Sequence, residues 1–450
     1  MNQERIVYQS STSVEPAYST AGTIEGWLCG VATPGIGNSR LAFALAGAFA
    51  GPLLRLAGED CGGFHVVGAS SEGKTTVILA SASVWGNPTL FVRTWRATAN
   101  GLESIAALHN DGTLFLDELG QVESHEAGKA AYLLSAGQGK ARANRAGAAR
   151  PAARWLLLFF STGEISLSAR MAEASQRAHA GQLVRMVDIP IDAGANMGAF
   201  ESLHGIASPA EFADAVKTAA SSHHGEVGLA FLRRLVADRA RIAERIGDDL
   251  KAIVVELAPT DASGQVVRVA RRFALVAYAG ELATRYGLTG WPKGEATRAA
   301  KKCFSAWLAG FGGADGGQRE DRAIISQVKA FLELHGSSRF EPIDGAGDRP
   351  TFNRAGFYRS VGETKSCKFD PSSKVPDNSK PQCREFLVLP EAFRNEVCKG
   401  LEHRHAARVL RDKEILAPGD GKHLTQNQRL PGIGVTRVFV ITPKLWEVET

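Results

Sequence analysis

Gly68-Ala-Ser-Ser-Glu-Gly-Lys-Thr-Thr76 satisfies the pattern G-x-x-x-x-G-K-[ST], with Gly68 and Gly73 bracketing a loop and Lys74 and Thr75 closing it. The apolar run Phe64-His-Val-Val67 before it predicts a short buried strand, and residues 74–82 after it predict the first turns of a helix. Strand, glycine loop and helix N-terminus together form an anion cradle, because backbone N–H groups converge there and the helix dipole favours negative charge. In such a cradle Gly68, Ala69, Ser70, Ser71, Glu72, Gly73, Lys74, Thr75 and Thr76 would surround the phosphates of ATP. Lys74 would reach the β- and γ-phosphates, and the Thr75 hydroxyl would ligate Mg2+.

Working outward, residues 63–192 alternate short apolar runs with helical segments, the pattern of an α/β sheet. Residues 99–109 and 123–135 read as helices, and residues 112–118, 155–160 and 185–190 as strands. The strand Gly112-Thr-Leu-Phe-Leu-Asp-Glu118 ends in two acids about forty residues beyond the loop. Asp117 there would hold Mg2+ through water, and Glu118 would orient and deprotonate the attacking water. Two adjacent acids at a strand end are, read alone, also a solvated turn. The strand 155–160 runs into Ser161-Thr162-Gly163-Glu164. Ligands of parallel sheets bind at the carboxyl ends of strands, so Ser161 or Thr162 can meet the γ-phosphate or its water. A helix N-cap is the alternative reading of this pair. Arg185, then Arg177, are the candidates for an arginine supplied to a neighbouring subunit's ATP, with Arg170 further upstream.

Between the acidic strand and residue 155 lies Gly137-Gln-Gly-Lys-Ala-Arg-Ala-Asn-Arg-Ala-Gly-Ala-Ala-Arg150. Lys140, Arg142, Arg145 and Arg150 stand there without an acid, on small residues with glycines near both ends. This predicts a basic hairpin that projects into the central pore of a ring and tracks single-stranded DNA. A solvated basic loop, or a set of groups facing the neighbour's nucleotide, is the plain alternative.

The rest of the chain supplies context. At 450 residues, 44% hydrophobic and 22% charged, it is long enough for two or three domains. The net charge of +5 lies in the second half, because residues 1–210 hold fifteen Lys/Arg against seventeen Asp/Glu. Six cysteines without zinc or disulfide spacing fit a reducing cytoplasm. The apolar run 41–54 is shorter than a membrane span and is interrupted by Gly47, Gly51 and Pro52, so a buried helix and a protein without a membrane partner are expected. The expected divisions are an arm and helical lead-in (1–62), an ATPase core (63–200), a helical domain (201–318) and a last domain (319–450) holding a Pro/Ser-rich mobile insertion (344–382). In that last domain helices precede a two-stranded wing, a winged-helix pattern. Arg404, Arg408, Arg411, Lys413 and Lys422 would face phosphates there, or the module would dock a protein.

Taken together, several stretches resemble the "domain of unknown function 927" family of P-loop proteins. They are Gly22-Thr-Ile-Glu-Gly-Trp27, the loop with Trp85-Gly86, Trp95-Arg-Ala-Thr98, Asn100-Gly-Leu-Glu103, Leu116-Asp-Glu-Leu119, Gly137-Gln-Gly-Lys-Ala-Arg142 and Ser161-Thr-Gly-Glu164. Ala279-Gly-Glu-Leu-Ala283 and Tyr286-Gly-Leu-Thr-Gly-Trp291 match as well. The resemblance implies an ASCE-type ATPase similar to superfamily 3 and AAA+ ring helicases, an α/β P-loop fold, a hexamer, and a role in phage, plasmid or integrative-element replication beside a primase. Two departures stand out. Glu72 replaces the Thr or small residue of relatives, and the primase-like region of longer relatives is absent, so no primer synthesis is expected of this chain. An ATP-dependent remodeller or loader of proteins, and an ATP-gated replication-origin binder, are the alternative functions. Glu118 counts against the second.

Overall fold

The computed structural model describes residues 17–140, 142–143, 149–150, 152–174, 176, 180–311, 317–343, 351–361, 384–419 and 423–448. Arg145, Arg177 and Lys422, and most of the expected insertion, lie outside them. The chain divides into two compact units, Met1–Gly316 and Gly317–Thr450.

The first unit is built on strands β1 (Gly62–Val67), β2 (Arg93–Thr94) and β3 (Thr113–Asp117), a hairpin of β4 (Arg142–Ala143) with β5 (Ala149–Arg150), then β6 (Leu158–Gly163) and β7 (Met186–Pro190). Five of these form one parallel sheet in the order β2-β3-β6-β1-β7. Its central strands β1, β3 and β6 are buried almost throughout, which is why they read as continuous apolar runs. The acidic strand β3 is thus one strand removed from β1, and β6 lies between them. The hydroxyl-bearing strand was expected at 155–160. Its pairing starts at Leu158, in register with Gly62, and carries the strand through Ser161, Thr162 and Gly163. Trp155 instead donates its N–H to the Gly137 carbonyl at 3.0 Å and its indole to Leu134 at 3.0 Å.

Helices α1 (Ser39–Ala48), α2 (Lys74–Ala82), α3 (Ala99–Leu108), α4 (Ser124–Ala136), α5 (Leu167–Glu173), α6 (Gly264–Arg285) and α7 (Glu295–Phe311) surround the sheet. All ten residues of α1 are buried. Phe43 packs on Phe64 (ring centroids 4.9 Å), Phe160 (5.9 Å) and Phe273 of α6 (5.0 Å), joining sheet and helical layers. Burying one such ring contributes about 1.5–3 kcal/mol. Small residues let the layers approach: a Cβ on Gly280 would come 2.7 Å from that of Ala46, and one on Gly51 would lie 2.2 Å from the Gly112 carbonyl carbon. Arg40, buried on α1, donates to the carbonyls of Pro190 (2.9 Å) and Asp192 (2.8 Å), tying this helix to the end of β7. The segments expected as lead-in, core and helical domain therefore share one apolar core, running from Trp27 to Phe311. Among the described residues no single helix is long and apolar enough to cross a membrane.

The second unit holds β8 (Phe340–Pro342), β9 (Gly356–Ser360), β10 (Arg384–Val388), β11 (Leu416–Ala417), β12 (Gln426–Leu430) and β13 (Gly434–Ile441), with α8 (His403–Asp412) and helix Gly317–His335. The strand order is β11-β13-β10-β9-β8, and β12 pairs with β13. Helices followed by a two-stranded wing were expected; the β12–β13 hairpin exists, but β13 also belongs to a larger sheet. Gly356–Ser360 falls within the expected mobile insertion and is instead an inner strand, because Phe357 is fully buried and pairs with Leu387.

Candidate functional site

The glycine loop leaves β1 at Gly68 and re-enters helix at Lys74. Two residues in it adopt left-handed backbone, Ser71 (φ 66°) and Gly73 (φ 93°). Gly73 caps α2, and a Cβ there would press to 3.1 Å on that of Ala199. The ammonium of Lys74 lies inside the loop, donating to the carbonyls of Gly68 (2.8 Å) and Ala69 (2.6 Å), and the residue is 8% exposed. Glu72 is held from outside the loop through its carbonyl, which accepts the Ala199 N–H at 2.9 Å. Thr75 is exposed at the helix start and Thr76 is buried.

At the neighbouring strand ends the structure brings Thr162 to the acids. Its hydroxyl donates to Asp117 Oδ1 and accepts the Glu118 N–H at 3.2 Å. Glu118 itself adopts a left-handed conformation (φ 62°, ψ 77°), an uncommon state for a residue with a side chain and one that clusters at functional sites. Arg170 pins the loop that follows, donating to the carbonyls of Gly120 (2.9 Å) and Val122 (3.0 Å). Its guanidinium also meets the Glu173 carboxylate. The N-cap of α5 is Ser166, whose hydroxyl accepts the Ala169 N–H at 3.1 Å, so the pair 161–162 belongs to the strand and caps nothing.

Ser161 faces the other side of β6, as the two-residue period of a strand requires. It lies in a buried chain of hydrogen bonds that the sequence reading did not anticipate. Trp95 donates its indole N–H to Ser161 Oγ at 2.8 Å, and Ser161 Oγ lies 2.9 Å from His65 Nδ1. His65 Nε2 lies 3.0 Å from the Ile165 carbonyl. A carbonyl only accepts, so Nε2 carries the hydrogen, Nδ1 accepts from Ser161, and the imidazole is neutral. Burial pushes the His65 pKa down to about 4; the Ile165 carbonyl opposes this, and the charge of Lys74 adds to it. Because the unfolded chain takes up this proton at about 6.5, stability is full above that pH and is lost as pH falls towards 4. The gap is worth about 3 kcal/mol. Denaturant midpoints measured from pH 7 to 4 should therefore fall further for the parent than for His65→Gln. Equal pH slopes would show that His65 carries no such load.

Arg185 immediately precedes β7. Its carbonyl accepts the Gly63 N–H at 2.9 Å, and its guanidinium donates to Gly181 at 3.0 Å and lies 5.1 Å from the centre of the Tyr132 ring. This is the opposite end of the sheet from the glycine loop, separated by β1, about 17 Å of strand. Arg185 therefore does not reach the loop of its own chain.

The basic segment forms the hairpin β4–β5, with Arg142 opposite Arg150 and Ala143 opposite Ala149. Its base is closed by Gly139 N–H to the Ala153 carbonyl (2.8 Å) and by a bridge between Gln138 and Arg154. Lys140 is exposed at that base. Beside it runs a groove of about 1020 Å3 between Trp95–Ala99, the face of α4 and Gln138–Lys140.

The fold and this site define an α/β protein whose parallel central sheet carries a glycine loop after β1 and an acid pair at the end of β3, with a basic hairpin preceding β6. Residues 1–154 match the model of the family described as "Domain of unknown function (DUF927)". A solved structure described as "SCCmec type IV Cch - active helicase" is similar over 97% of this chain and 75% of its own, at 18% identity and a TM-score of 0.64, and thus shares the fold. NtrX from Brucella abortus, solved in complex with ATP, aligns over 63% of this chain and 60% of its own at 15% identity. Its TM-score of 0.21 carries no argument. No curated protein matches the chain.

Proposed function

We propose that the protein is an ATP-hydrolysing ring helicase or translocase that acts on DNA in the replication of a mobile genetic element. The observation that carries this reading is the meeting of Thr162, Asp117 and the Glu118 backbone at strand ends beside the Gly68–Lys74 loop. The strand order supports it: an inserted strand between the loop strand and the acidic strand is the ASCE arrangement that the family resemblance implies. The description of the similar structure as an active helicase points the same way.

The residues fit ATP and Mg2+. A buried ammonium sits among loop carbonyls, a hydroxyl stands at the helix start, and a carboxylate oriented by Thr162 ends β3. Lys74 and the loop amides would hold the β- and γ-phosphates, and Thr75 and Asp117 would hold the metal. Bound there, Mg2+ would neutralise charge on the phosphate oxygens. Glu118 would take a proton from water as the water oxygen bonds to the γ-phosphorus and the bond to the ADP oxygen breaks. Thr162 uses both faces of its hydroxyl to align the two acids; Ser161, spent on Trp95 and His65, does not share that role. Arg185, at the far end of the sheet, would serve the ATP of a neighbouring subunit, which calls for a closed ring, here a hexamer. Lys140, Arg142 and Arg150, with Arg145 between them in the sequence, would draw one DNA strand through the pore. Arg404 and Arg408, exposed on α8, offer a second phosphate-facing surface in the other unit.

The test is ATP-dependent displacement of one strand from a tailed duplex, with particle images of the same sample. Displacement by ring-shaped particles is expected with ATP and Mg2+, and none with Lys74→Ala. ATP turnover that DNA leaves unchanged, without displacement, would overturn the reading.

A further inference from the structure

Glu103 is a buried acid that this mechanism leaves unused. It is 4% exposed on α3, and its carboxylate accepts the Lys140 N–H at 3.2 Å. Lys140 is at the base of the hairpin, where Gly139 N–H binds the Ala153 carbonyl and Trp155 N–H binds that of Gly137. A Cβ on Gly139 would come within 2.9 Å of Glu103 Oε2, so the hairpin base passes directly against this carboxyl group. A carboxylate withdrawn from water is costly unless hydrogen-bonded, which makes its contact with the hairpin base directional.

The N-terminus of α3 follows β2, which pairs with the acid-bearing strand β3. Thr98 caps the helix, its hydroxyl accepting the Gly101 N–H at 3.2 Å. Three residues earlier, Trp95 donates its backbone N–H to the Asp117 carbonyl at 3.2 Å and its indole to Ser161. Thr94 pairs directly with Asp117. A continuous series of contacts thus runs from the acid pair through Trp95 and α3 to Glu103 and the hairpin base.

We propose that Glu103 is a positioning residue that fixes the hairpin base to α3, so that DNA held on the hairpin and the acids at 117–118 shift as one body. The inference rests on the DNA-translocase reading. Glu103 touches neither the glycine loop nor the acids, so its removal leaves the hydrolytic groups in place. What it removes is the tie by which DNA would accelerate hydrolysis and nucleotide would, by linkage, alter DNA affinity.

The experiment compares the full chain with Glu103→Ala and Glu103→Gln, the latter keeping an acceptor oxygen. Three quantities are read: ATP hydrolysis without DNA, its stimulation by a single-stranded oligonucleotide, and hydrogen exchange at the Gly139 and Lys140 amides. In Glu103→Ala, hydrolysis without DNA should stay near the parent rate while stimulation drops by about tenfold or more. The Lys140 amide should exchange about tenfold faster, and Glu103→Gln should recover most of both. Unchanged exchange in Glu103→Ala overturns the proposal. So does faster exchange with full stimulation, or a parallel fall of the rate without DNA, which marks a merely structural role. If the parent itself shows no stimulation, the DNA reading falls, and amide exchange alone then decides whether Glu103 holds the hairpin.

Discussion

Glu118→Gln is expected to lower ATP turnover by about 10²- to 10⁴-fold, the usual contribution of a positioned general base, while ATP affinity stays close to that of the parent. The substitution keeps the size and shape of the side chain and replaces only its capacity to accept a proton. Its backbone N–H still reaches Thr162 Oγ1, so Asp117 and the strand end keep their arrangement. The left-handed conformation at this position costs Gln what it costs Glu, so no change in backbone strain confuses the comparison. ATP binding, which the proposed mechanism assigns to Lys74 and the loop at the end of β1, with β6 between it and β3, is measured separately with a fluorescent nucleotide under single-turnover conditions. Turnover at the parent rate would remove Glu118 as the base and with it the hydrolytic mechanism.

The parts of this site that could be read in the sequence are those whose physics is local. The cradle at 68–76 needs only a strand, a glycine turn and a helix start in succession, and all three stand in adjacent residues. The acids at 117–118 stood out too, as two carboxylates closing an apolar run, although read alone they also fit a solvated turn. The choice between Ser161 and Thr162 was not local. Alternation sends the two to opposite faces, but which face meets the acids depends on β6 lying between β3 and β1, a fact of sheet order. The buried chain from Trp95 through Ser161 to His65 joins residues 66 and 96 positions apart, and no short pattern encodes such a separation. Trp95 did stand in a stretch that resembles the family, but the stretch gave no hint of its partners. In the second unit, Gln426–Leu430 is a polar strand with no apolar alternation, held by its pairing with β13; Gly356–Ser360 was hidden among residues that favour loops. The lead-in and helical segments looked like separate domains because their shared core depends on Phe43 meeting Phe273, 230 residues later in the chain.

In the double variant Lys140→Ala with Arg142→Ala, DNA-stimulated hydrolysis is expected to fall to the rate without DNA, with ATP binding unchanged. The hairpin sets Arg142 directly opposite Arg150 in an antiparallel pair. Residues 137–150 carry four cations and no acid, and a polyanion would neutralise such a run of like charge. Removing two of the cations should therefore leave the free protein as stable as before or slightly more so, which separates loss of DNA contact from loss of fold. Each contact with a single-strand phosphate contributes about 0.7 to the dependence of log affinity on log salt, so the slope should shrink by about 1.4 per subunit. The measurement is a salt titration of oligonucleotide binding beside a thermal melt. A slope equal to the parent's, with stimulation intact, would show that DNA, if bound, is held elsewhere than on this hairpin. A lower melting temperature would instead assign the two cations to the architecture of the unit. Neither result is expected, since Lys140 reaches the rest of the unit through its backbone N–H, which alanine retains.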